Sequence, residues 1–134
     1  MPTNIIWKLN VEVQAGPKVI ESRTIQVDAF DRIEVAVPDT TGSPDETEID
    51  IQPGGPGNIK LLLIRSTAYG DNLKYKVHNT TADERVLNDA IFLTGKGSLD
   101  LLEEGTAPLD KLFVTNTTGN SVVLEIIVGR TAAV

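Results

Sequence analysis

The stretch Leu109–Arg130, LDKLFVTNTTGNSVVLEIIVGR, has the clearest pattern in this chain. Two apolar segments flank a polar loop at 116–121, and the Asn, Thr and Gly residues of that loop are typical of tight turns. Every second residue from Val122 to Val128 is apolar, which is the period of a strand that buries one face. The stretch therefore predicts two consecutive β-strands.

The same period-two alternation recurs along the rest of the chain, in segments that end at Gly, Pro, Asn or Asp. The alternating segments are Trp7–Val13, Ile25–Val27, Ile33–Val37, Thr47–Ile51 and Leu73–Val77. The run 59–69 is almost continuously apolar, which predicts a central strand covered on both faces. These segments predict an all-β protein, a jelly-roll-like β-sandwich of about eight or nine short antiparallel strands, with an up-and-down barrel as the alternative.

The length of 134 residues fits one ordinary domain. No internal repeat or linker divides the chain, so we expect a single β-sandwich domain over 1–134, with short flexible termini at 1–4 and 131–134. Trp7, Leu9, Val11 and Val13 share one strand face, which we assign to the core together with Tyr75.

Composition argues against several classes of partner. The net charge is −7, with twelve Lys and Arg against nineteen Asp and Glu, whereas nucleic-acid-binding surfaces concentrate positive charge. No run approaches the roughly 18 apolar residues of a membrane span, and the start, MPTNIIWKLN, lacks the layout of a signal peptide. We therefore expect a protein made in the cytoplasm that binds neither nucleic acid nor membrane.

No set of residues predicts catalysis, a cofactor or a metal site. Cysteine is absent, which excludes thiol nucleophiles, and His78 is the only histidine. His78 falls on the polar side of an alternating strand, where a solvent-facing histidine is the simpler interpretation. The sequence therefore predicts a protein that is not an enzyme.

An acidic stretch forms the first candidate surface, because positions 33–59 contain no Lys or Arg. The candidate contact residues are Asp45, Glu46, Glu48 and Asp50. Their alternation with apolar residues is typical of a solvated strand face. Binding of a cation, or of a basic patch on a partner protein, is the alternative.

A second apolar face in the last two strands forms the other candidate surface. Phe113, Val123 and Ile127 lie opposite the residues that the core would take. A strand that is apolar on both faces is covered either within its own fold or by another chain. Internal cover from the segment 83–108 and a subunit interface through these three residues both remain open.

The ending LDKLFVTNTTGNSVVLEIIVGR resembles the terminal hairpins of small accessory proteins in the virions of tailed bacteriophages, particularly capsid cement or decoration proteins. The resemblance covers about a sixth of the chain. It implies a structural virion protein on the capsid exterior that forms a dimer or trimer and binds between subunits of the major capsid protein. The alternative is a carbohydrate- or receptor-binding β-sandwich module of a phage tail or surface assembly, in which Tyr69, beside a turn, would be the exposed ring.

Overall fold

Two four-stranded antiparallel sheets form the body of the protein, and a separate two-stranded hairpin precedes them. The computed structural model describes residues 2–52, 58–102 and 109–131. Within these ranges the elements are β1 (Thr3–Glu12), β2 (Lys18–Val27), β3 (Ala29–Val37), β4 (Glu46–Asp50), β5 (Ile59–Ser66), β6 (Leu73–Val77), β7 (Arg85–Val86), β8 (Ile91–Thr94), the helical turn α1 (Lys96–Leu99), β9 (Lys111–Asn116) and β10 (Val122–Arg130). The prediction of an all-β protein is confirmed.

The strand order is that of a jelly roll. One sheet has the order β3–β10–β5–β8 and is called the arm-side sheet, and the other has the order β4–β9–β6–β7 and is called the far-side sheet. The first body strand pairs with the last, the second with the second-last, and so on to the β6–β7 pair. The chain is thus one long antiparallel ribbon wrapped into a sandwich. This order differs from the sequential pairing of an up-and-down barrel.

One core cluster joins the two sheets. In β10 the alternate residues from Val122 to Val128 are buried, and in β9 Leu112 and Val114 face them from the other sheet. Strand β6 contributes three more core residues, including Tyr75. The alternation in the sequence therefore identifies the inward faces of these strands correctly.

Strand β5 is covered on both faces, as its continuous apolar run predicts. It lies between β10 and β8, and the consecutive residues Leu61 and Leu62 are 3% and 0% exposed. Leu62 belongs to the core cluster, whereas Leu61 lies on the outer side of the sheet. The cover on that outer side comes from the N-terminal hairpin.

Strands β1 and β2 pair only with each other and are called the arm. The inner end of the arm contacts the arm-side sheet, because a Cβ added to Gly129 would lie 2.6 Å from Ile5 Cδ1 and 3.1 Å from Val27 Cγ1. Every residue from Lys8 to Thr24 is exposed.

Two sequence expectations are corrected by the arm. Trp7, Leu9, Val11 and Val13 do share a face, but the last three are exposed, and the half-buried Trp7 lies outside the core cluster. The reason is that the hairpin extends beyond the sheet surface that covers its inner end. Its strands are also ten residues each, longer than the short strands expected.

Of the two termini predicted to be flexible, the structure describes residues 2–4 and 131. Thr3 and Asn4 pair with Val27 and Gln26 at the start of β1. The backbone N–H of Thr131 donates to the carbonyl of Asn58 at 2.9 Å. Residues 1 and 132–134 lie outside the described residues.

Candidate interaction surfaces

The three residues of the predicted apolar interface lie on opposite sides of the molecule. Val123 and Ile127 point away from the core on the arm-side sheet, whereas Phe113 points away from it on the far-side sheet. The polar loop 117–121 connects β9 to β10, and these strands belong to different sheets. The two strands do not pair, so their outer residues cannot form one surface.

Val123 and Ile127 flank an ion cluster in the middle of the arm-side sheet. Glu125 lies between them and accepts a hydrogen bond from Arg32 Nε at 2.9 Å, while Arg65 Nε lies 3.6 Å from its other oxygen. In the strand register Arg32 is directly opposite Ile127. Since long basic side chains lay their apolar stems along neighbouring residues, this cluster helps to leave both apolar residues only half-exposed.

A shallow depression adjoins this ion cluster. Its lining residues are Glu34, Arg65, Ser66, Thr67, Val123 and Glu125, and its volume is about 180 Å³. Small-molecule pockets typically enclose roughly 300–1,000 Å³. The depression is therefore small for a drug-sized ligand, although its rim offers charged and hydroxyl groups.

Phe113 lies among ion pairs on the far-side sheet. Glu48 is opposite it on β4 and Lys76 is opposite it on β6. Lys76 lies 3.6 Å from Glu46, and Lys111 lies 3.2 Å from Glu48. The half-buried Phe113 ring is thus flanked on both sides by charged residues.

The predicted acidic face is partly neutralised by lysines from the neighbouring strands. The hydrogen bond to Glu48, followed by the charge of the same carboxylate, raises the pKa of Lys111 above its usual value. Asp45 and Asp50 instead accept hydrogen bonds from nearby backbone N–H groups, those of Glu46 and Gln52. No group of three metal-ligating side chains forms within the described ranges. The four acidic residues therefore form ion pairs or hydrogen bonds within the chain itself.

His78 lies at the end of β6 rather than along it. Its backbone has a positive φ of 73°, and its Nδ1 lies 3.0 Å from Asp110 Oδ1. A histidine that is hydrogen-bonded to a carboxylate supplies two of the three residues of a hydrolase triad. The third residue would be a nucleophile hydrogen-bonded to the other ring nitrogen. Among the hydrogen bonds found in the described residues, none joins a hydroxyl to this ring.

Sequence reasoning missed the outer half of the arm as a surface. Leu9, Val11, Val13 and Val19 are 39%, 50%, 54% and 60% exposed. The alternation that indicates a strand was visible in the sequence. The sequence does not show the residue at which the body stops covering that strand, because no local signal marks this point.

Comparisons of this chain with protein-family models, curated proteins and solved structures give no match, so its function has to be inferred from the fold and its surfaces. Among the described residues, no helix has the length and apolar character needed to cross a membrane.

Proposed function

We propose that this chain is a non-enzymatic structural virion protein, a capsid cement protein of the tailed-bacteriophage type that binds between major capsid subunits on the outside of the head. The observation that carries the proposal is the amount of apolar surface outside a well-packed body. Among the described residues, the large apolar side chains that stay exposed are Ile6, Leu9, Val11, Val13, Val19, Ile20, Phe30, Tyr69, Val86, Phe92 and Leu101. Leu9, Val11 and Val19 share one face of the arm, and contiguous exposed apolar surface is typical of sites that bind other macromolecules.

A cement protein needs interface area and no reaction chemistry. It stabilises a shell by binding the assembled state and not the separated subunits, so its effect follows from linkage. A stable interface buries roughly 800 Å² on each partner. A rigid sandwich with an extended arm supplies area of this kind, and jelly rolls recur in viral capsid proteins, an analogy of fold that favours the proposal.

The acidic residues have a secondary place in this proposal. Glu46 and Glu48 are already paired with lysines of neighbouring strands. Asp45 and Asp50 keep exposed carboxylates at the two ends of β4. We propose that this edge faces either solvent or a basic patch of the major capsid protein.

The test is binding to heads. Particles assembled from the major capsid protein encoded beside the gene are mixed with labelled chain and sedimented through a cushion. We expect saturable co-sedimentation and a higher disruption temperature of the heads, since ligand at 100 times Kd stabilises by about 2.7 kcal/mol. Heads first saturated with unlabelled chain are the control. Absence of both co-sedimentation and stabilisation would exclude the cement role.

A carbohydrate-binding module is the second candidate, favoured by the surroundings of Tyr69. The Tyr69 hydroxyl accepts a hydrogen bond from the Ser66 backbone N–H at 3.1 Å, which holds the exposed ring beside the charged depression that Ser66 and Thr67 line. Jelly rolls also occur in lectins. Millimolar or tighter binding on a glycan array, lost in Tyr69→Ala, would replace the cement proposal with this one.

A further inference from the structure

One face of the arm carries an apolar row along its whole length. The register places Ile5 opposite Ile25 and Val11 opposite Val19, and directly opposite residues of an antiparallel pair share a face. The members of this row are Ile5, Trp7, Leu9, Val11, Val13, Val19, Ile25 and Val27. Glu21 and Arg23 are the charged residues on the same face, and they form an ion pair at 3.0 Å.

The inner half of this row is fitted to the outer face of the arm-side sheet. Ile5 and Val27 lie over Gly129, where the missing side chain leaves them room. The Trp7 and Phe92 rings meet edge to face, with centroids 5.3 Å apart. Val27 is 1% exposed as a result. This sheet face therefore accepts aliphatic and aromatic residues of the apolar row.

The outer half of the same row has no cover. Its four aliphatic side chains, Leu9, Val11, Val13 and Val19, are between 39% and 60% exposed. A two-stranded ribbon with one apolar face is only marginally stable without something to pack against.

We propose that the outer half of the arm packs on the arm-side sheet of a second copy of this chain, in a two-fold dimer to which each copy contributes one arm and one receiving face. The receiving surface is the part of that sheet beside the inner arm. Phe30, 54% exposed, is directly opposite Gly129 in the strand register and so borders the contact with Ile5. The half-buried Leu63 and Ile127 continue the apolar surface along β5 and β10.

Self-complementarity is the reason for choosing a second copy as the partner. The row of side chains is continuous between the covered and uncovered halves of the arm, and the receiving sheet face is continuous with the surface that the inner half already occupies. A two-fold interface uses the same surfaces on both subunits. If the arm of one copy contacts the sheet of the other, the symmetry-equivalent contact forms as well.

The charges on the two surfaces proposed to meet are already paired. The arm face that carries the apolar row holds Glu21 and Arg23, which form an ion pair. On the receiving sheet Glu125 lies between Arg32 and Arg65 and pairs with both. The contact therefore brings together surfaces of balanced charge.

The first test measures the oligomeric state of the full chain by sedimentation velocity at high micromolar concentration. We expect wild type to have about twice the 14.4 kDa chain mass and Val11→Asp to have the single mass. Asn10→Asp is the matched control, because it adds the same charge one residue away on the opposite face of the arm and should remain dimeric. A monomeric wild type, or a dimer unaffected by Val11→Asp, overturns the inference. Circular dichroism checks that the exposed substitutions leave the body folded.

The second test locates the contact and uses the absence of cysteine from the chain. A Val11→Cys variant and a Phe30→Cys variant, one of them extended by a tag, are mixed and treated with a short bismaleimide. Each chain holds one thiol, so a product that joins the two variants is necessarily intermolecular. We expect a high yield for this pair and a low yield when Asn10→Cys replaces Val11→Cys. Equal yields would refute the proposed arm position.

The inference does not depend on the cement proposal. A dimer that fails to bind heads supports the arm contact and excludes the cement role. A monomer that binds heads excludes the arm contact and supports the cement role.

Discussion

The sharpest prediction concerns Asn116, whose buried side chain holds the connection between the two sheets. Asn116 is fully buried and donates hydrogen bonds to the carbonyls of Val37 at 3.2 Å and Asn120 at 2.8 Å. Its Oδ1 accepts from the N–H and the hydroxyl of Thr118 at 3.0 and 2.7 Å. The side chain thus ties β3 to the loop that carries the chain from β9 to β10.

We expect Asn116→Ala to lower the free energy of unfolding by about 3 kcal/mol. The buried Val37 carbonyl loses its partner, which costs about 2 kcal/mol, and the three partly buried bonds add roughly 0.5 kcal/mol or less each because water replaces them. At about 2.1 cal/mol/K per residue, this corresponds to a decrease in Tm of roughly 11 °C. The measurement is urea and thermal unfolding followed by far-UV circular dichroism, because the single tryptophan lies in the arm.

Two further variants test the hydrogen bonds of Asn116. Asn116→Asp keeps the size of the side chain but directs an oxygen at the two carbonyls, so it should be less stable than Asn116→Ala at neutral pH. Asn120→Ala, an exposed asparagine of the same loop, should change stability by less than about 0.5 kcal/mol. If Asn116→Ala or Asn116→Asp unfolds within 0.5 kcal/mol of wild type, the hydrogen bonds do not stabilise the crossing as described.

Three other predictions concern the arm and two titrating groups. Gly129→Val should displace Ile5 and lower the free energy of unfolding by about 1–3 kcal/mol through overpacking. Because Trp7 lies in the arm, the displacement should also shift the tryptophan emission to longer wavelength. Unchanged emission would contradict the contact between the arm and the sheet. The hydrogen bond from the Thr41 hydroxyl is the main cause that holds the pKa of Asp39 below 3.8. The ionised Asp39 carboxylate therefore stabilises the fold above pH 3.8, and this stabilisation is lost as the pH falls further. Thr41→Ala should raise the pKa of Asp39 in an NMR titration. Burial raises the pKa of Tyr75 above 10.0, so folding is favoured by the neutral phenol below pH 10 and this contribution is lost at higher pH. In an alkaline titration we expect a late phase of tyrosinate absorbance that is absent from Tyr75→Phe. If the late phase remained in Tyr75→Phe, the prediction would be wrong.

The candidate surfaces show how far the sequence could predict function. Alternation correctly identified the outward direction of Phe113 and Ile127, but it could not show that β9 and β10 lie in different sheets. Likewise the acidic residues Glu46 and Glu48 are visible as a cluster, whereas their lysine partners are distant in sequence. Lys76 and Lys111 reach them only because β6 and β4 both pair with β9.

The sequence by itself determined the all-β class, the inward face of most body strands and the two-face burial of β5, because the period-two pattern and the turn residues are local properties of the chain. The tertiary structure alone decided which strands pair, that Phe113 is separated from Val123 and Ile127, and that the row from Leu9 to Val19 is left uncovered. The physical reason is that covering a strand face requires a second surface, and the position of that surface is set by long-range pairing.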